Sequence, residues 1–264
     1  MSQAGNHLYA ERMRRFLPVP GPDLTDTDLL DEAASPTPGQ SFVRFNMVSS
    51  LDGRGVLDGL SAGLGTAADQ RLFPILRAVA DAIVVGSATA LAEGYAGELL
   101  PQSLRQARVA RGLAARPTTV ILSHSGSLPP DSAVLQDAPA PTLVVVAEDA
   151  SPERIAALRA VCEVVLVPAG TPPIAVTSAL AGRGLAHLHH EGGPGILTRY
   201  VNAGAVDSLC LTLSPVLAPA GTGAITAMTP VTGHAQAPVR ALELHRLYEE
   251  DSTLLAEYRR GRAA

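Results

Sequence analysis

The chain has 264 residues and carries 20 Lys+Arg against 25 Asp+Glu, a formal charge of −5. Nucleic acid and anionic membrane surfaces both need clustered basic charge, so this balance argues against either as a partner. Hydrophobic residues make up 47% and charged residues 17%, far from the composition of disordered chains. Aromatics are scarce and Trp is absent, so a core has to be built from Ala, Val, Leu and Ile. Every basic residue is Arg, which excludes a Schiff-base lysine and a P-loop lysine.

In chain order, residues 1–40 are broken by Pro18, Pro20, Pro22, Pro36 and Pro38 and read as a peripheral extension with one short acidic helix at 26–34. A first strand at 42–48 ends in Ser49-Ser50-Leu51-Asp52-Gly53, and a glycine-rich loop runs on to Gly65. Thr66 and Asp69 form a start resembling a capping box, for a helix that presents Leu72, Leu76 and Val79 on one face and bends near Pro74. A short buried strand at 82–85 runs into Gly86-Ser87-Ala88-Thr89. Further strands are predicted at 119–122, 143–147, 164–167, 185–189 and 208–213, with a helix started by Ser151, Pro152 and Glu153. Segments 240–248 and 253–259 flank Glu249-Glu250-Asp251-Ser252 as an antiparallel hairpin. The rhythm is βαβ, without internal repeat or long linker. It predicts one α/β domain over 41–264, its sheet mostly parallel with an antiparallel C-terminal hairpin.

Cys162 and Cys210 each sit in an apolar run, which fits a reducing compartment better than a disulfide framework. No apolar run approaches the roughly 20 residues that span a bilayer. Residues 1–16 mix Glu11 with scattered arginines and lack the pattern of a signal peptide. The expectation is a cytoplasmic protein.

Three segments are suited to chemistry. In His189-His190-Glu191-Gly192-Gly193-Pro194-Gly195 a strand breaks into glycines and opens a helix, which offers unpaired N–H groups and a positive helix end to an anion. The plainer alternative is a tight strand-to-helix turn. Gly86, Ser87 and Thr89 repeat the pattern, though a hydroxyl before a helix is often only a cap. Asp52 closes the first core strand, as an active-site acid or as a turn residue that satisfies nearby N–H groups.

Taken in order, N-M-V-S-S-L-D-G-R (46–54), A-D-A-I-V-V-G-S-A-T (80–89), E-G-G-P-G-I-L (191–197) and V-D-S-L-C-L-T-L-S-P-V (206–216) resemble the reductase domain of bacterial riboflavin biosynthesis, a pyrimidine-reductase branch of the dihydrofolate-reductase-like family. The resemblance covers about 41–260. It implies a three-layer α/β fold, hydride transfer from NADPH to a ribosylamino-pyrimidine of the 5-amino-6-(5-phosphoribosylamino)uracil type, and a homodimer. It further implies that Gly192, Gly193, Pro194 and Gly195 hold the cofactor pyrophosphate across a cis Gly192-Gly193 peptide, with Gly86 and Thr89 on the other side. Glu93 stands where relatives more often carry an aspartate. Ser123 and His124 fall at the adenosine ribose, where relatives commonly have Arg beside Ser.

On this reading Asp52 orients the substrate and helps its protonation, Glu191 assists, and Ser50 and Arg54 complete the substrate site. Arg54, Arg105, Arg108 and Arg111 are the arginines considered for a substrate phosphate, with a solvated helix face as the alternative for the last three. A pteridine-like substrate or a non-catalytic nucleotide-binding module are the rival functions. The zinc-deaminase signature H-x-E…P-C-x-x-C is absent. His189 and His190 point to opposite faces of a strand, so no metal site is expected. The alternating apolar residues of 206–213 suggest a sheet edge that a second subunit covers.

Overall fold

The computed structural model describes residues 13–21, 23–34, 40–57, 59–218 and 240–261. Pro22, Pro36 and Pro38 of the N-terminal extension lie outside them. One sheet of ten strands organises the described residues. Its parallel part is β2 (Phe42–Ser50), β3 (Ala82–Gly86), β4 (Thr118–Leu122), β5 (Leu143–Ala147), β6 (Glu163–Val167), β7 (His187–His190) and β8 (Ser208–Ser214). Antiparallel strands β9 (Leu242–Glu250), β10 (Thr253–Arg260) and β1 (Arg14–Leu17) extend one side, in the order β1-β9-β10-β8-β2-β7-β3-β4-β5-β6. Strand β7 enters between β2 and β3, so the strands that carry the three glycine or acid segments lie side by side.

Alternation along the strands builds two faces. Ile83, Val85, Ile121 and Val144 pack with helices α5 (Ala133–Gln136) and α6 (Pro152–Arg159). Helices α1 (Asp26–Ala33), α2 (Ala67–Ala78) and α4 (Gln102–Ala110) pack together beside Tyr248 and Leu255. Val43, Phe45, Val84 and Val120 face the opposite way, toward α7 (Pro173–Ala181) and α8 (Pro194–Asn202). The short α3 (Ser87–Ala92) follows β3 directly. The result is the expected three-layer, dihydrofolate-reductase-like arrangement. No helix among the described residues is long and apolar enough to cross a membrane.

Four local outcomes refine the sequence reading. The N-terminal segment is more than peripheral: Met13, Leu29, Leu30 and Ala33 are buried in the core around α2, and β1 pairs with β9. Strand β7 begins two residues later than expected, because Leu185 N–H closes α7 on the Leu180 carbonyl while the Asp81 carboxylate takes the N–H groups of Ala186 and His187. The hairpin turn is only Asp251-Ser252, both with positive φ, the conformation that matches the twist of the flanking strands. Strand β8 is not an edge. It pairs with β2 and β10, and burial in mid-sheet explains its apolar character.

Candidate active site

A cleft of roughly 300 Å³ opens at the carboxyl ends of β2, β7 and β3, the place where open α/β sheets bind ligands. Asn46, Met47 and Val48 of β2 form one wall, and Asp69, Gln70, Phe73 and Arg77 of α2 another. Thr89, Glu93, Tyr95 and the run Glu191, Gly192, Gly193, Pro194 close it.

At its base Arg77 holds Glu191 through two parallel hydrogen bonds, Nε to Oε1 at 2.6 Å and Nη2 to Oε2 at 2.8 Å. Tyr95 donates its hydroxyl to the same Oε2 at 2.6 Å. The guanidinium lies 4.2 Å from the centre of the Phe73 ring and donates a further bond to the Leu99 carbonyl. The side chains of Arg77 and Glu191 are 12% and 1% exposed. Burial works against the Arg77 charge, but Glu191 outweighs it and raises the guanidinium above its usual range. Burial and the Glu191 charge also push the Tyr95 phenol well up. Glu191 therefore sits in the cleft, as expected, with its carboxylate fully committed to protein partners.

Glu93 is committed too, accepting from the Ser61 N–H at 3.0 Å and from its hydroxyl at 2.7 Å. These bonds tie the 3₁₀ turn Ser61–Leu64 to the end of α3. Asp69 differs. Thr66 caps α2 by accepting from the Asp69 N–H, but the Asp69 side chain does not reach back, so the capping box is only half formed. Its Oδ1 accepts from the Thr212 hydroxyl of β8 at 2.6 Å, and Oδ2 has no hydrogen-bond partner among the described residues. Burial raises the Asp69 carboxyl above the ordinary range, against the lowering effect of the Thr212 bond.

The glycines are placed as the sequence suggests. The Gly192-Gly193 peptide is cis, and Gly192 has φ +96°, a conformation side chains resist. A Cβ on Gly193 would stand 2.7 Å from Thr89 Oγ1, and one on Gly86 would stand 2.8 Å from Ile196 Cδ1. Gly195, by contrast, faces open space. Pro194 takes the first position of α8, where its missing N–H costs nothing.

Asp52 lies outside the cleft. It accepts from Ser50 Oγ at 2.6 Å and from the Ala218 N–H at 3.0 Å, bonds that hold its pKa below the usual carboxylate value. Ser50 Oγ in turn accepts from the Arg54 N–H, so Ser50 and Asp52 shape the turn that carries Arg54 to the rim beside the cleft-lining Gly55. Arg108 is buried and donates to the carbonyls of Ala78, Ala80 and Ala114, which excludes it as a phosphate ligand. Arg105 pairs with Glu98 and Arg111 with Asp31. His189 faces Phe73, while His190 stacks on Phe45 against Tyr200 on the other side of the sheet. Burial pushes His189 well down and His190 to about 3, so both are neutral. Ser123 and His124 line a second, smaller cleft at the ends of β4, β5 and β6.

Sequence reasoning passed over Asp69, Phe73, Arg77, Tyr95 and Thr212. Phe73 and Arg77 at i, i+4 on α2 were a legible signal for one shared face. Asp69 was hidden by its apparent capping role.

A family model described as the RibD C-terminal domain matches residues 41–251. The chain is 32% identical over 223 residues to the 2,5-diamino-6-ribosylamino-4(3H)-pyrimidinone 5′-phosphate reductase of Methanothermobacter thermautotrophicus, covering 82% of this chain and 97% of that protein. It is 28% identical over 178 residues to the Archaeoglobus fulgidus protein of the same name, covering 66% of this chain and 80% of that one. The crystal structure of a pyrimidine reductase-like protein from Corynebacterium diphtheriae superposes with a TM-score of 0.73 at 25% identity, over 89% of this chain and 99% of that one. With the model spanning most of the chain and the fold shared along nearly the whole of a solved relative, this chain belongs to the RibD C-terminal domain family.

Proposed function

We propose that this chain is a cytoplasmic, NADPH-dependent reductase of a ribosylamino-pyrimidine phosphate in riboflavin biosynthesis. The observation that carries the reading is the pairing, within one cleft, of a glycine cradle at a helix start with a carboxylate oxygen, that of Asp69, that has no partner among the described residues. The curated relatives act, by name, on a 2-amino pyrimidinone. The 2-amino-4-oxo edge of such a ring presents adjacent N–H groups, which a carboxylate accepts. The 2-oxo edge of a uracil replaces one of them with a second acceptor. Asp69 therefore favours the diamino form over the uracil form.

The residues present suit a dinucleotide. At the start of α8 Pro194 has no N–H and Ile196 donates to the Gly193 carbonyl, which leaves the Gly195 N–H without an acceptor among the described residues, and Gly192 and Gly193 put no side chain between the backbone and a pyrophosphate. Gly86, Thr89, Gly192, Gly193, Pro194 and Gly195 would hold that pyrophosphate, with Ser123 and His124 at the adenosine end. A bound nicotinamide supplies the hydride. Asp69 orients the heterocycle, Phe73 and Met47 line its binding space with apolar surface, and the Arg77–Glu191–Tyr95 unit keeps the base of the cleft rigid. Arg77, the one arginine lining the cleft among the described residues, is occupied by Glu191. We therefore place the substrate phosphate at the mouth, with Arg54, whose Nε stands 3.8 Å from Asp52 Oδ2, as its cation. For the homodimer that the resemblance implies, we assign the contact to the terminal hairpin, whose Leu244 and Leu254 are exposed.

The test follows NADPH absorbance with the diaminopyrimidinone ribosylamine phosphate, its uracil counterpart, dihydrofolate, and no acceptor. Oxidation with the first, lowered roughly 10- to 100-fold in kcat/KM by Asp69→Asn, supports the proposal. Oxidation with dihydrofolate alone would favour the pteridine reading, the rival because no uncommitted arginine lines the cleft among the described residues. No oxidation with any acceptor would leave only a nucleotide-binding module.

A further inference from the structure

The second cleft, of roughly 110 Å³, is separated from the first by the opening turn of α8 and sits at the ends of β4, β5 and β6. Its body is apolar, with Leu122, Val145, Val167 and Ile196 among its walls, which suits the flat face of a purine. Its polar side chains are few: Ser123, His124, Thr171, Arg199 and Tyr200. Ser123 is 1% exposed, and its hydroxyl has no hydrogen-bond partner among the described residues, an arrangement that costs free energy unless a ligand completes it. His124, Arg199 and Tyr200 are the titratable groups that line the cleft, and no carboxylate lines it among the described residues.

Arg108, Arg154, Arg159 and Arg199 all lack a carboxylate partner among the described residues, and of these Arg199 is the one that lines this cleft. It projects from α8 with only a 3.5 Å approach of Nη2 to the Thr171 carbonyl, and it has no carboxylate partner among the described residues. Dinucleotide sites that select a free 2′-hydroxyl place an acid against the ribose, and those that accept a 2′-phosphate place an arginine there. This cleft has the second character. A guanidinium meets a phosphate with paired, charge-assisted donors, which an imidazole does not.

We propose that this cleft takes the adenosine end of the dinucleotide and that Arg199 selects NADPH over NADH by binding the 2′-phosphate, with Ser123 donating to the same end. The proposal rests on the dinucleotide reading above and adds to it the residue that sets cofactor choice.

Calorimetric titration of the full chain with adenosine 2′,5′-bisphosphate and with 5′-AMP tests it without turnover. The unmodified chain should prefer the bisphosphate by roughly tenfold to a hundredfold, the scale of hydrogen bonds between charged groups. Arg199→Ala should abolish that preference while leaving 5′-AMP affinity within about twofold, and Arg199→Lys should restore part of it. Because Arg199 is exposed, the melting temperature should not move, which a parallel thermal scan checks. A preference that survives in Arg199→Ala would overturn the assignment. So would equal binding of both nucleotides to the unmodified chain; if NADPH is still oxidised there, the dinucleotide reading stands and only the role of Arg199 falls. If neither nucleotide nor NADPH binds, the dinucleotide reading fails as well.

Discussion

Replacing Glu191 by Gln separates a structural role from a chemical one. The substitution keeps the side-chain shape and an acceptor for the Tyr95 hydroxyl, but it leaves the Arg77 guanidinium, 12% exposed, without its countercharge. Breaking a buried ion pair by removing one partner costs about 3–5 kcal/mol. Arg77 keeps the Leu99 carbonyl and the Phe73 ring at 4.2 Å, which offset part of that loss. The net expectation is a loss of about 2–4 kcal/mol, or roughly 5–15 °C in melting temperature for a domain of this size. Urea unfolding of Glu191→Gln, Arg77→Met and the double variant measures the coupling. The double variant should be less destabilised than the sum of the singles by about 2 kcal/mol or more, because it leaves no orphan charge. Additive effects, or a Glu191→Gln protein within about 0.5 kcal/mol of the parent, would refute the ion-pair argument. A stable variant with abolished turnover would give Glu191 back to the chemistry.

Gly193→Ala should weaken NADPH binding and cost about 1–3 kcal/mol, because its Cβ would stand 2.7 Å from Thr89 Oγ1. Adding Thr89→Ala should recover the stability but not the affinity, and a fluorescence titration beside a thermal melt distinguishes the two. Asp52→Asn should leave turnover nearly unchanged and lower the melting temperature slightly, as the Ser50 and Ala218 bonds weaken. A drop of roughly a hundredfold in kcat would instead restore Asp52 as the acid of the reaction. For Glu257, burial alone would raise the pKa, but Arg44, Arg259 and Arg246 hold it at about 2. Its folded value lies below the unfolded value of about 4.3, so its stabilisation is complete above that pH and is lost as pH falls toward 2. Urea stability should therefore decline more steeply between pH 4 and 2 in the parent than in Glu257→Gln, and equal slopes would contradict the assignment.

The central strands were readable because parallel strands buried on both faces appear as continuous apolar runs, as in Ala82–Gly86 and Leu143–Ala147. The same property misled at 206–213, since an apolar run does not say whether neighbours flank it on one side or two. Arg14–Leu17 left no such trace: it is a four-residue strand with two arginines, one of them paired to Glu249. In the site, the glycines at 192 and 193 were legible as the point where a strand breaks before a helix, though the pattern alone left a plain tight turn open beside an anion cradle. The carboxylates were not. Sequence places an acid at a strand end, but it does not show that Arg77, 114 residues away, and Tyr95, 96 residues away, converge on Glu191. Local pattern also named Asp69 a cap, and only the register of β8, which brings Thr212 beside it, turns its side chain to the cleft.

That placement of Asp69 carries a cost that can be measured. A structural acid would be held in its charged form by its surroundings, as Glu257 is. Asp69 is instead raised by burial, with one hydroxyl bond to compensate. Its folded pKa lies above the unfolded value, so the folded state binds more protons there, and stability falls as pH rises from the unfolded value through the folded one. At pH 7 the charged carboxylate is a net penalty to folding, and Asn removes it while still accepting from Thr212. Asp69→Asn should therefore melt at or above the parent temperature at pH 7, with the gap closing as pH is lowered toward 4, while kcat/KM falls. A site residue kept at the expense of stability behaves in this way. A variant that melts below the parent at pH 7 would show that Asp69 serves the fold, and the substrate-binding assignment would have to move elsewhere in the cleft.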